Sequence, residues 1–227
     1  DPRTPGPQDS GTPGPRDIFV SLSLEAVVPA FIILIASLSF HEAAHAWAAD
    51  RLGDPTARML GRLTLNPLAH IDWIGTVLFP LVGMLSGLPL IGWAKPVPVD
   101  TRNLKAPRRD FALVALAGPV SNVLLAFVAA VLLKAQGGLV PDEGQTVVTV
   151  TLYTAVILNT LLAVFNMLPV PPLDGGNVLA GIVPESVARL IDQMRPYGFF
   201  LLYALLLLGV LDLFVWPVQR FLGSWLI

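Results

Sequence analysis

Residues 41–45 read His-Glu-Ala-Ala-His, at the end of a long apolar segment. On a helix, His41 and His45 are four residues apart and project from one face. Two imidazoles so placed suit zinc, which takes histidine nitrogens at about 2.0–2.1 Å. Glu42 sits beside His41, poorly placed to ligate the same ion. It is well placed to take a proton from a zinc-activated water and deliver it to a leaving amine. The chain has only three histidines, His41, His45 and His70, so placing two of them on one helical turn is no packing accident. Ionisable groups beside lipid are costly and mark functional sites.

A catalytic zinc normally has three protein ligands and one open position. With no cysteine in the chain, thiolate ligands and structural disulfides are excluded. Two candidates remain for the third ligand. His70 is one. The other is Asp174, in the run Asn166-Met-Leu-Pro-Val-Pro-Pro-Leu-Asp-Gly-Gly176. Three prolines force that run out of helix, and Gly175 and Gly176 permit tight turning. Spacing alone leaves both candidates open.

The elements that must carry these residues are read from hydropathy. Of 227 residues, 54% are apolar and 13% are Asp, Glu, Lys or Arg, against about 25% charged in soluble domains. The mean hydropathy is +0.70. Lipid is the implied solvent, and a net charge of -2 gives no electrostatic affinity for nucleic acid. Residues 1–17 are rich in Pro, Gly, Ser and Asp and are expected to be a disordered tail. They lack a basic n-region and a cleavage site, so the first apolar segment is expected to remain as an anchor. Residues 18–227 are expected to form one transmembrane domain. Full spans are expected within residues 18–47, 111–133, 146–165 and 199–216. Residues 73–93 are apolar but broken by Pro80, Gly83, Gly87 and Pro89, and are expected to be re-entrant or broken. The fold expected is therefore an all-α polytopic membrane protein with four full transmembrane helices plus one re-entrant or broken segment.

Arg51, Arg58 and Arg62 follow the first span, and Arg102, Lys105, Arg108 and Arg109 precede the second. Both loops belong inside. That places the His-Glu-Ala-Ala-His box and residues 166–176 on one face, toward the cytoplasm, in a multi-pass protein of the cell membrane. A metal transporter would show several ligating groups along a path; here Asp212 is the main other acid among the apolar runs, which disfavours a conduit.

Five stretches together carry a family resemblance: residues 40–46 (FHEAAHA), 65–72 (LNPLAHID), 92–99 (GWAKPVPV), 117–122 (AGPVSN) and 165–176. The chain resembles the site-2 protease family of intramembrane zinc metalloproteases, peptidase family M50, in its compact prokaryotic form without PDZ or CBS domain. The resemblance implies one Zn2+ held by His41, His45 and Asp174, with Glu42 as general base and acid. It makes His70 a catalytic hydrogen-bond donor or a supporting residue. Asn122, in the GPxxN pattern, either binds substrate backbone or ties helices together. The resemblance also implies membrane-associated β-strands at residues 58–65 and 95–99, near the zinc. The partners implied are the lipid bilayer and a transmembrane protein or peptide substrate, cleaved within or near its membrane segment. The sequence does not give the oligomeric state.

Overall fold

The structure is a computed structural model describing residues 24–86, 92–137 and 146–209, with residues 213, 214, 216, 217, 220 and 221 near the C-terminus. The tail expected over residues 1–17, and Asp212, lie outside the described residues.

Helix α1 (Leu24–Leu52) carries the His-Glu-Ala-Ala-His box in its C-terminal half. Ser39 satisfies itself by donating to the Ile35 carbonyl at 2.8 Å, which lets a hydroxyl sit among apolar neighbours. The helix ends where Gly53 takes φ +113°, and Asp54 N–H then donates to the Ala49 carbonyl at 2.9 Å. A side chain at Gly53 would be strained there, which makes glycine the natural stop.

α2 (Thr56–Met59) is one short turn. A 3-10 turn, Pro67–Ala69, is capped by Asn66, whose side chain accepts Leu68 N–H at 3.1 Å. A π-helical stretch, Trp73–Leu78, leads into α3 (Phe79–Ser86). Asp72 caps it by accepting Ile74 and Gly75 N–H at 3.1 and 2.8 Å. After a 3-10 turn at Thr101–Asn103 comes α4 (Pro107–Ala135), with proline at its first position, where a missing N–H costs nothing. α5 (Val147–Asn166) is capped by the Thr146 hydroxyl. α6 (Asp174–Ile182), α7 (Glu185–Met194) and α8 (Gly198–Leu207) complete the described elements.

α4 is the hub, packed against α1, α5 and α6. The contacts are built from small residues. Ala48 and Ala49 of α1 meet Val114 of α4, and Ala129, Ala130 and Leu133 of α4 meet Val156 of α5. Lipid offers no hydrophobic drive between helices, so close approach of small side chains must hold them. Large apolar side chains such as Ile32, Val123, Leu124 and Phe127 stand exposed on the outside, the expected surface toward acyl chains.

Two expectations are corrected. Among the described residues three helices, not four, are long and apolar enough to cross a membrane: Val28–Leu52, Pro107–Ala135 and Val147–Asn166, with Trp73–Gly83 a shorter apolar helix. In the expected last span, α8 runs only Gly198–Leu207, and Gly209 follows at φ +67°. The second correction is that no β-strand occurs among the described residues. Residues 58–65 alternate in sequence, but Gly61 at φ +68° and the 2.8 Å bond from Arg62 N–H to the Ala57 carbonyl close a turn there. Residues 95–99 belong to no helix or ladder, and Pro96 and Pro98 have no N–H to donate to one.

Candidate metal centre

The site is assembled where α1, α4 and the start of α6 meet. His41, Glu42 and His45 are all buried on α1, and each offers a ligand atom within 4.8 Å of the others. From the ends of the helices at Leu52 and Pro107, His45 and Val114 each lie about 10 Å inward at 1.5 Å per residue. The two imidazoles are tied to α4 by different partners. His45 Nδ1 donates to the Val114 carbonyl at 2.7 Å, since a carbonyl can only accept. His41 Nδ1 lies 2.6 Å from Asn122 Oδ1.

A chain of amides fixes the direction of that second bond. Asn159 Nδ2 donates to the Ala155 carbonyl at 2.9 Å, so its Oδ1 is the atom facing Asn122 Nδ2, also at 2.9 Å. Asn122 therefore turns its oxygen to His41, and His41 Nδ1 carries the hydrogen. Both imidazoles are left with a lone pair on Nε2. Those two lone pairs stand 3.0 Å apart.

Asp174 completes the cluster from the far side. Its Oδ2 lies 3.1 Å from His41 Nε2 and 3.4 Å from His45 Nε2. It is buried with no hydrogen-bond donor. Three acceptor atoms converge with no hydrogen between them, an arrangement that repels itself unless a cation sits among them. The edges of a tetrahedron with bonds of about 2.0–2.1 Å are about 3.3–3.4 Å, close to the three observed separations. The donor set fits one zinc ion.

α6 delivers Asp174 through close packing at both ends. A Cβ at Gly175 would stand 2.3 Å from the Met167 carbonyl, and one at Gly181 would stand 2.3 Å from Ala112 Cβ on α4. Arg108 of α4 holds the far end, donating to the Ala180 and Val183 carbonyls and to Glu185; these are the carbonyls that a helix C-terminus leaves unpaired. Leu168 and Leu173, buried against Phe165 and Leu202, anchor the loop before α6. Gly118 lies against the two imidazoles themselves. A Cβ there would lie 2.4 Å from His45 Nε2 and 2.6 Å from His41 Cε1.

The structure thus brings His41, Glu42, His45, Asn122 and Asp174 together. His70 is held elsewhere in its bonding: Nε2 donates to the Thr64 carbonyl at 2.8 Å, and its own carbonyl accepts Lys95 N–H at 2.8 Å. Its Nδ1 is buried without a partner. Sequence reasoning missed three contributors. Asn159 carried a signal, an amide inside an apolar helix. The Val97 amide, which donates to Glu42 Oε2 at 3.0 Å, carried a weaker one, being the only donor between two prolines. The Val114 carbonyl carried none, because any residue has one. Below the site, Asp54 accepts from Thr56, Asn103 and the Asp100 amide. Burial pushes its carboxyl up, and these donors outweigh burial and hold it below the ordinary range.

Comparison with known proteins gives the same reading. The family model for peptidase family M50 matches residues 29–142 and 141–209. The putative zinc metalloprotease YwhC of Bacillus subtilis is 38% identical over 205 residues, covering 89% of this chain and 90% of that one. The putative zinc metalloprotease Rip2 of Mycolicibacterium smegmatis is 32% identical over 190 residues, covering 82% and 70%. The zinc metalloprotease MJ0392 of Methanocaldococcus jannaschii is 24% identical over 185 residues, covering 81% and 43%. No solved structure matches significantly. With the motif buried at helix depth and the match running through all three long apolar helices, the chain belongs to peptidase family M50 and is an intramembrane zinc metalloprotease.

Proposed function

We propose that His41, His45 and Asp174 hold the zinc ion and that Glu42 moves the proton during hydrolysis of peptide bonds within or near transmembrane segments of other membrane proteins. The observation that carries this assignment is the convergence of two Nε2 lone pairs and one buried, donor-less carboxylate oxygen at 3.0–3.4 Å.

Zinc bound there supplies Lewis acidity, polarising the scissile carbonyl and making water a nucleophile near neutral pH. The protein's residues do the rest. Glu42 takes one proton as water oxygen bonds to the carbonyl carbon. It returns that proton to the amide nitrogen as the C–N bond breaks, so the products are a carboxylic acid and an amine. Val114 and Asn122 hold the imidazoles with Nε2 forward, a role typical of groups behind metal ligands. Asn122 has its oxygen on His41 and its nitrogen on Asn159, which favours tying helices and orienting His41 over binding substrate. His70 supports the site through Lys95, which favours a structural part in holding residues 93–100.

The cytoplasmic orientation rests on charge. Arg51, Arg58 and Arg62 lie at or after the end of α1, and Arg102, Lys105, Arg108 and Arg109 at or before the first turn of α4, and basic loops stay inside. The test of function is Glu42→Gln in proteoliposomes with a transmembrane peptide. Hydrolysis is expected to fall about 100- to 10,000-fold with zinc retained. Unchanged hydrolysis in that variant would refute the role given to Glu42.

A further inference from the structure

Residues 93–100 run past Glu42 as a strap whose backbone is fastened at successive points. Trp93 N–H donates to the Gly75 carbonyl at 3.1 Å, and the Trp93 carbonyl accepts the Thr76 hydroxyl at 2.8 Å. Lys95 N–H donates to the His70 carbonyl, and the Lys95 carbonyl accepts from the buried Arg62 guanidinium. Val97 N–H donates to Glu42 Oε2 at 3.0 Å. Asp100 N–H donates to Asp54 Oδ2 at 2.7 Å. The Trp93 ring lies where a Cβ at Gly75 would stand, and packs between Phe79 and Phe199. Both ends of the strap are therefore anchored independently of Glu42.

Pro96 and Pro98 have no amide hydrogen, and each also confines the residue before it to extended backbone. Val97 is thus the single donor at this point of a stiff segment, and it meets Glu42. Among the described residues the Glu42 carboxylate accepts no other hydrogen bond. A glutamate side chain is otherwise free to rotate, and misplacing a reacting group by about 1 Å can cost about 100-fold in rate.

We propose that the Val97 amide is a positioning group for Glu42: it holds one carboxylate oxygen in place and leaves the other to carry the proton. This rests on the assignment of Glu42 as the proton carrier. Val97→Pro removes the donor in a stretch that Pro96 and Pro98 already restrict. Val97→Ala keeps the donor and removes only side-chain bulk. With zinc-loaded enzyme in proteoliposomes, Val97→Pro is expected to lower kcat about 10- to 100-fold with KM unchanged and zinc still bound. Val97→Ala is expected to lose no more than about threefold. A Val97→Pro enzyme with wild-type kcat, or an equal loss in Val97→Ala, overturns the proposal. If Val97→Pro fails to fold, amide hydrogen exchange over residues 93–100 decides. Faster exchange at Val97 in Glu42→Ala than in the wild type supports the bond, and equal exchange overturns it. Activity surviving in Glu42→Gln would instead remove the assignment beneath the proposal, so the two failures are distinct.

Discussion

Asn122 Oδ1 lies 2.6 Å from Nδ1 of His41, and this one contact decides which face of the imidazole meets the metal. Asn122 is fully buried and is itself set by Asn159. Three helices thereby share in choosing a single tautomer. Removing the oxygen in Asn122→Ala frees the ring to turn. Zinc affinity is expected to fall about 10- to 100-fold, measured by competition with a chromophoric chelator. Asn159→Leu, which leaves Asn122 Nδ2 only the Ser37 carbonyl at 3.5 Å, is expected to fall in the same direction by a smaller factor.

Gly118 faces the same two imidazoles from α4. Any side chain there meets His45 Nε2 and His41 Cε1 well inside contact distance, and neither ring can yield without leaving the metal position. Gly118→Ala is expected to abolish zinc retention and hydrolysis together, with helix content by circular dichroism kept. A Gly118→Ala protein that holds zinc normally would show that α4 sits farther from α1 than described.

Asp54 fastens the strap at the opposite end from Trp93, and it does so as a carboxylate. Its folded pKa is lowered by its donors, so its contribution is fully present above the unfolded value of about 3.9 and is lost as pH falls through the folded value. Acid is therefore expected to loosen the strap below about pH 4. Asp54→Asn, which turns an amide toward donors, is expected to cost about 2–3 kcal/mol at neutral pH and to converge with the wild type in acid. Thermal unfolding in detergent across pH, followed by intrinsic tryptophan fluorescence, measures both.

The chemistry of this chain was more legible than its architecture. His41, Glu42 and His45 are local, and helical spacing alone aligns them. Asp174 comes from the start of α6, far along the chain, so spacing could not choose it over His70; the family resemblance did, and the convergence at 3.0–3.4 Å favours the same choice. The β-strands failed for a definable reason. Prolines at 96 and 98 do enforce extended backbone, yet a strand also needs donors, which prolines remove. Alternation over residues 58–65 could not reveal that Gly61 turns the chain. The expected fourth full span was counted from composition, and an apolar run does not disclose where a positive-φ glycine such as Gly209 will interrupt it.

The identity of the third ligand decides whether this site can hold a catalytic zinc ion. Metal analysis of purified protein, comparing Asp174→Ala with His70→Ala, tests it most directly. About one zinc per chain is expected in the wild type and in His70→Ala, and almost none in Asp174→Ala. Zinc kept by Asp174→Ala and lost from His70→Ala would contradict it.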